Sequence, residues 1–138
     1  MSTTTSRTAG RPATPKHRPR ANKTALRDAV AALNAGNAED YLALFRHDAR
    51  LHGFPAGIED VDGLCRFHAA TAGTFPDASV TLDDAVAESD RVATRFTWRA
   101  SQGPGLGLVA QGGAIVRFAD GQIAECWNLP AELHAVTS

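Results

Sequence analysis

The sequence predicts an α+β fold in which helices come first and an antiparallel sheet follows. Apolar residues recur with a helical period up to about residue 72, and beyond residue 77 they alternate with polar residues as in strands. Two turn signals, Ser89-Asp90 and Asp120-Gly121, divide the alternating part into hairpins. Helices followed by a run of strands are typical of this class. We expect the sheet to bend around the helices and leave a concave cavity.

Three helices are predicted, over residues 24–34, about 37–45 and 59–72. Thr24 and Asn37 are suitable N-caps for the first two, and Gly36 ends the first. The second helix carries its apolar side chains on one face: Tyr41, Leu42 and Phe45. The third has a stripe formed by Val61, Leu64, Cys65 and His68.

Five strands are predicted. The first is short and covers residues 49–53, and the second contains residues 80–86. The other three cover residues 91–101, 108–119 and 122–129. The loops between them are marked by glycine and proline, as in 54–57 and 102–107. No internal repeat is present, so we expect one domain.

The first 23 residues differ in composition from the rest. They carry six of the 14 basic residues and no acidic one, which leaves eight basic against 15 acidic residues and a net charge of −7 in the body. Because they hold almost no large apolar side chain, we expect residues 1–23 to be a disordered basic tail and residues 24–138 to be the domain. The tail could be an electrostatic tether or a passive extension. The acidic body argues against nucleic acid as a partner, because nucleic-acid binding requires Lys and Arg.

The composition also bears on location and cofactors. No apolar run approaches the roughly 20 residues of a membrane span, so we expect no membrane association. Cys65 and Cys126 lie far apart without a CxxC motif, which favours neither a metal site nor a disulfide framework. A reduced, cytoplasmic protein without a metal is the simplest interpretation.

Several short motifs occur in an order that resembles one known family. They are "Asn34-Ala35-Gly36-Asn37", "Leu42-Ala43-Leu44-Phe45", "Phe75-Pro76-Asp77", "Ser89-Asp90-Arg91-Val92-Ala93" and the stretch from Val116 to Trp127. Together they resemble the SnoaL-like polyketide cyclase family of the nuclear-transport-factor-2-like superfamily, over residues 24–133. The resemblance implies a cone-shaped fold with N-terminal helices packed on a strongly curved, mostly antiparallel sheet. It also implies a homodimer through the outer sheet face, a deep apolar pocket for a small molecule, and no cofactor.

The resemblance implies a function in secondary metabolism. It suggests a cofactor-free cyclase or isomerase that uses acid–base catalysis on an apolar polyketide-like or terpenoid-like molecule. Two alternatives stay open, because fold does not fix function. One is an epoxide-opening hydrolase or cyclase, and the other is a non-catalytic module for ligand binding or dimerisation.

Three residues are the predicted catalytic groups. Glu125 lies two residues before Trp127 on the last strand, so both side chains share a face, and an apolar wall there would raise the pKa of the carboxyl. His52 ends the first strand and can act as acid or base near neutral pH. Gln111, where similar sequences carry Arg or His, would donate a hydrogen bond to a substrate oxygen. The alternatives are an exposed strand Glu at a dimer rim, a structural His and a solvent-facing Gln.

Six further residues are predicted to bind the substrate: Tyr41, Phe54, His68, Phe96, Trp98 and Trp127. Tyr41 could donate a hydrogen bond, whereas the aromatic rings could stack on a flat ligand. Each could equally be a core residue, above all His68, which shares a stripe with Leu64.

The segment after the final tryptophan departs from the family pattern. Many relatives carry an Asp a few residues later, but here Ala131 stands in that region and Glu132 lies one place off. Either Glu125 then acts as the catalytic acid, or the catalytic activity of the family is changed or lost in this protein.

Overall fold

A computed structural model describes residues 18–137. Its helices are α1 (Arg18–Asn34), α2 (Ala38–Leu42) and α3 (Val61–Thr74), with a short 3-10 turn at Pro55–Gly57. Its strands are β1 (Phe45–His52), β2 (Ser79–Glu88), β3 (Arg91–Gly103), β4 (Leu106–Ala119) and β5 (Gln122–Thr137). They form one sheet in the order β1-β5-β4-β3-β2, in which only the β1–β5 pair is parallel. The predicted α+β class and the mostly antiparallel sheet are confirmed.

The first helix begins earlier than predicted, at Arg18 instead of Thr24. Pro19 lies in the first turn, where a missing N–H costs no hydrogen bond. Asn22, Leu26 and Ala29 then form a buried stripe at helical spacing. Residues 18–23 are therefore part of the domain, whereas the rest of the predicted tail lies outside the described residues.

The first strand is also longer than predicted. Phe45, expected on the second helix, begins β1 and pairs with Ile123 of β5, whose N–H donates to the Leu44 carbonyl oxygen at 2.8 Å. The helix ends at Leu42 because this pairing with β5 draws the following residues into the sheet. Phe45 is buried in the core all the same.

The last strand continues eight residues past its predicted end at Leu129. The register between β4 and β5 shifts between Gln111 and Gly113, next to Pro130, and pairing resumes as far as Thr137. A bulge accommodates the proline, which cannot donate to a neighbouring strand. The two predicted hairpin turns are present, with Ser89 and Asp120 both at positive φ.

The two faces of the sheet differ. The inner face packs on the helices, and its core comprises Leu51, Val92, Val116, Phe118, Ile123 and Cys126 with Leu26 of α1 and Leu64 of α3. Side chains alternate along a strand, so neighbours of these residues point to the opposite, outer face. Cys65, predicted on the apolar stripe of α3, is exposed, whereas Leu64 is fully buried.

Within residues 18–137, every helix is too short or too polar to cross a membrane.

Candidate functional site

Two titratable groups meet on the inner side of the fold. Tyr41 of α2 and His68 of α3 have ring centroids 5.0 Å apart in an edge-to-face arrangement. Phe45 lies 5.5 Å from Tyr41, and Phe67 lies 5.5 Å from His68. The structure thus brings together two predicted substrate-binding residues, 27 positions apart in the sequence, among aromatic rings.

Burial controls the protonation of this inner pair. Loss of solvent lowers the pKa of His68 below its ordinary value, so the imidazole is neutral at pH 7 and can accept a proton. Burial, with a smaller contribution from Cys126, raises the pKa of Tyr41, which stays protonated and can donate a hydrogen bond. Burial also raises the pKa of Cys126 to about 12, so that this thiol is unreactive.

Aromatic side chains extend the inner face toward the far end of the sheet. Phe96 and Trp98 lie four and six residues after buried Val92 on β3, so their side chains point to the same face as Val92, the helix side. Trp98 contacts Phe75 edge to face at 5.3 Å, just after α3. Phe54 packs against the core beside β1. The rings recorded against the Tyr41–His68 pair are those of Phe45 and Phe67, whereas these further aromatic side chains lie elsewhere on the inner side.

An acid was expected a few residues after Trp127, but an alanine lies on the inner face of the sheet in that region. A methyl group on Gly112 would lie 2.9 Å from the Ala131 Cβ and 3.1 Å from the Phe96 ring, which places Ala131 on the inner side. Glu132 pairs with Gln111 and is exposed. The position nearest to the family's acid is thus an alanine.

Glu125 and His52 form a close pair, but on the outer face. Cys126 and Leu51 are register partners in the core, so their neighbours Glu125 and His52 point away from the helices. His52 Nε2 lies 2.7 Å from Glu125 Oε2, and Arg117 Nη2 donates to Glu125 Oε1 at 3.2 Å. The Glu125 side chain is only 14% exposed. The prediction that both residues line the inner pocket disagrees with this placement.

Trp127 shares the outer face, as its spacing from Glu125 predicts. Its ring stacks on His52, with centroids 5.6 Å apart and planes at 20°, and the Arg91 guanidinium lies 5.1 Å over its centroid. Trp127 therefore belongs to this outer cluster and does not face the helices.

The electrostatics of Glu125 are opposite to those predicted. Its hydrogen bond with His52 lowers its pKa, assisted by Arg117 and Arg50, and outweighs desolvation. A carboxylate held ionised in this way is suited to an ion pair and not to proton donation near neutral pH.

Gln111 does not join either group. It is exposed and lies six positions from Arg117 along β4, roughly 20 Å away at about 3.3 Å per residue. The structure therefore separates Gln111 from the predicted partners Glu125 and His52.

The contact between Arg117 and Glu125 was not predicted from the sequence. A regular two-residue turn at Asp120-Gly121 would place Arg117 opposite Ala124. A register shift next to Phe118 instead places it opposite Glu125. Neither composition nor periodicity reveals such a bulge.

Replacing Glu125 by Gln is expected to lower the melting temperature at pH 7, because His52 and Arg117 lose their anionic partner. A depressed carboxyl pKa stabilises the fold above the unfolded value of 4.5, and this stabilisation is lost as the pH falls through the lower native value. The difference in melting temperature between wild type and variant should therefore shrink below pH 4.5 in thermal scans from pH 7 to 3. The matched control is Glu39→Gln, at an exposed position on α2. An equal effect of Glu39→Gln, or a pH-independent difference, would contradict this assignment.

No cluster of three or more His, Cys, Asp or Glu that could hold a metal ion occurs among residues 18–137.

Comparison with known proteins adds the family. The SnoaL-like domain family matches residues 26–126. A comparison with curated proteins gives no significant sequence match.

Several solved structures are similar to this chain. IdmH from Streptomyces antibioticus, a candidate polyketide cyclase, is 27% identical with a TM-score of 0.70, covering 84% of this chain and 93% of its own. TsrD from Streptomyces laurentii is 26% identical with a TM-score of 0.67, over 83% and 89%. AclR from Streptomyces galilaeus, a candidate hydroxylase, is 21% identical with a TM-score of 0.69, over 84% and 80%, and supports the fold alone. With its family match over most of the domain and this shared fold, the chain belongs to the SnoaL-like domain family.

Proposed function

We propose that the protein is a cofactor-free cyclase or isomerase of secondary metabolism. Its substrate is an apolar polyketide-like or terpenoid-like molecule bound between the helices and the inner face of the sheet. The observation that carries this proposal is the contact between Tyr41 and His68 among aromatic rings. Family membership and the similarity to IdmH support the reaction class.

The inner pair has the two properties that enolate chemistry requires. Neutral His68 takes a proton from a carbon next to a carbonyl group, and the Tyr41 hydroxyl donates a hydrogen bond to the resulting enolate oxygen. In a cyclisation, the enolate carbon attacks a second carbonyl carbon of the same molecule and forms a carbon–carbon bond. The imidazolium then returns the proton to the new alkoxide. In an isomerisation, the proton returns to a different carbon.

This assignment gives the predicted catalytic residues another role. Glu125 and His52 support the sheet from its outer face, and Gln111 is remote from both groups. The catalytic roles of these three residues stay predictions, for which the geometry offers less support than for His68 and Tyr41.

A binding module without turnover is the second candidate. It is favoured by Ala131, which leaves the inner face without an acid where the family pattern expects one. In that case the aromatic walls would hold a ligand, and His68 would be a core residue.

Deletion of the gene in its host distinguishes the two candidates. The enzyme predicts that an uncyclised or unisomerised precursor accumulates and that the wild-type gene restores the product. If the metabolite profile stays the same, or if a catalytically silent double variant, His68→Gln with Tyr41→Phe, restores it fully, the binding module is the better account.

We also propose that two copies pack through the outer face. Register partners there form an apolar row across four strands, Val86, Ala93, Ile115 and Trp127, and His52 continues the row on β1. A charged row runs beside it: Glu88, Arg91, Arg117, Glu125 and Arg50. An apolar stripe next to charges of both signs suits a self-complementary interface.

Ile115→Lys is expected to break the outer-face contact, because it places a charge in the middle of the apolar row. Sedimentation velocity should show an assembly of lower mass than the wild type at unchanged circular dichroism. Ala72→Lys, at an exposed position on α3, is the control and should leave the mass unchanged. An unchanged mass of the assembly in Ile115→Lys would refute the outer-face interface.

A further inference from the structure

One edge of the sheet has no neighbouring strand within the described residues. The pairing of β1 with β5 ends at His52 and Trp127, and the last side-chain contact on that side joins Asn128 to the Gly53 carbonyl oxygen. From there to Thr137, β5 pairs only with β4 among residues 18–137. Unpaired backbone groups along a strand edge are a template for another strand.

Exposed apolar side chains are concentrated beside this free edge. Among residues 18–137, five large hydrophobic residues are recorded as exposed, and four of them lie at the start of β4 or the end of β5: Leu106, Leu129, Leu133 and Val136. Leu133 is 58% exposed. Scattered exposed leucines are ordinary, but a group of them along an open edge indicates an interaction surface.

The opposite edge of the sheet, formed by β2, is capped at Val80 by a side chain of α1. The Asn34 side chain donates to the Val80 carbonyl oxygen at 2.7 Å and accepts from the Val80 N–H at 2.8 Å. An amide that satisfies both backbone groups of an edge residue replaces a neighbouring strand there. The free part of β5 has no such cover within the described residues.

We propose that residues 131–135 of β5 pair antiparallel with the same residues of a second copy, about a two-fold axis at Leu133. The two sheets then continue into one sheet of ten strands. Pro130 limits the pairing on one side, since it has no N–H to donate. This inference does not depend on the proposed enzymatic function.

Charge selects the register. Glu132 and His134 flank Leu133 and point to the same face, because they are two residues apart on a strand. An axis at Leu133 places each Glu132 opposite His134 of the partner and gives two favourable cross-strand pairs. An axis at Glu132 would place two carboxylates opposite each other, and an axis at His134 would place two imidazoles opposite each other. The axis at Leu133 also brings the Leu133 side chains of the two copies into apolar contact with each other.

Cysteine cross-linking tests the register directly. In a Cys65→Ser background, Leu133→Cys places two thiols next to each other on the two-fold axis, within reach of a disulfide. Copper phenanthroline should convert the full chain to covalent dimers at least ten times faster than in the control Leu106→Cys. Leu106 is 51% exposed and belongs to the same region, but it lies on β4 and not on the free edge.

Charge exchange provides a second measurement. His134→Glu places two carboxylates opposite each other and should slow the Leu133→Cys cross-link at least tenfold. Adding Glu132→Arg restores opposite charges and should restore the rate. A rescue of this kind cannot come from misfolding, so it is specific to the proposed pairing.

Three results would overturn the proposal. One is cross-linking of Leu133→Cys no faster than of Leu106→Cys, and another is failure of the charge exchange to restore it. The third is cross-linking that appears only after residues 2–17 are deleted, since the edge would then be covered by the chain's own N-terminal segment. Repeating the experiment with Ile115→Lys separates the edge from the outer face, and the cross-link should survive.

Discussion

His68→Gln is expected to reduce the rate of product formation by roughly 10²-fold to 10⁴-fold, the usual contribution of a positioned general base. Glutamine keeps a polar side chain of similar reach but cannot take up a proton at neutral pH. His68 contacts Tyr41 and Phe67, so the variant retains most of the packing. Single-turnover kinetics with the precursor from the deletion strain measures this loss.

Tyr41→Phe is the matched comparison for that variant. It keeps the ring that contacts Phe45 and His68 and removes only the hydroxyl. A loss of roughly 10²-fold to 10³-fold would fit an oxyanion donor. If both variants retain full activity, the inner pair is part of the core and not of the catalytic machinery.

The titration of His68 provides an independent check of the same assignment. Because burial lowers its pKa, the unfolded chain binds a proton at pH values where the native protein does not. His68 therefore lowers stability as the pH falls below its unfolded value of 6.5. Histidine-selective NMR on the folded protein should show an imidazole that titrates below 6.5 and is missing in His68→Gln.

Gly53→Ala is expected to destabilise the fold by about 3 kcal/mol. Gly53 adopts φ +78°, where a Cβ costs about 1–2 kcal/mol. In addition, the methyl group would overlap the backbone carbonyl oxygen of Asn128, which cannot move without disturbing β5. Such overpacking costs about 1–3 kcal/mol more.

Gly36→Ala is the control for Gly53→Ala. Gly36 has a similar φ of +84°, but nothing lies within 4 Å of the position that a Cβ would occupy. This variant should lose only the conformational part, about 1–2 kcal/mol. Urea denaturation of both variants measures the difference, and equal losses would show that the close approach of β1 to β5 carries no energetic cost.

The class of the fold and its hairpins could be predicted because they depend on local signals. The helical stripe that buries Leu64 and the turn at Asp120-Gly121 follow from the spacing of residues that are close together in the sequence, and both are confirmed. The start of α1 was missed because a charged segment with a proline gives no apolar period. Its helix is stabilised by the burial of Leu26 and Ala29, which depends on tertiary contacts.

The side on which Glu125 lies could not be predicted, for a different reason. Strand alternation correctly placed Glu125 and Trp127 on one face, but it does not say which face packs on the helices. That depends on the parallel pairing of β1 with β5, a contact between segments more than 70 residues apart. The meeting of Tyr41 with His68 depends in the same way on how α2 and α3 pack.

One comparison tests the central claim, that chemistry takes place on the inner face. His68→Gln and Glu125→Gln, each introduced into the deletion strain at matched expression, are scored by the yield of the final metabolite. We expect His68→Gln to abolish the product and Glu125→Gln to retain most of it at temperatures where the variant stays folded. Loss of product in Glu125→Gln with full activity in His68→Gln would contradict the claim and place the chemistry at the outer Glu125–His52 pair.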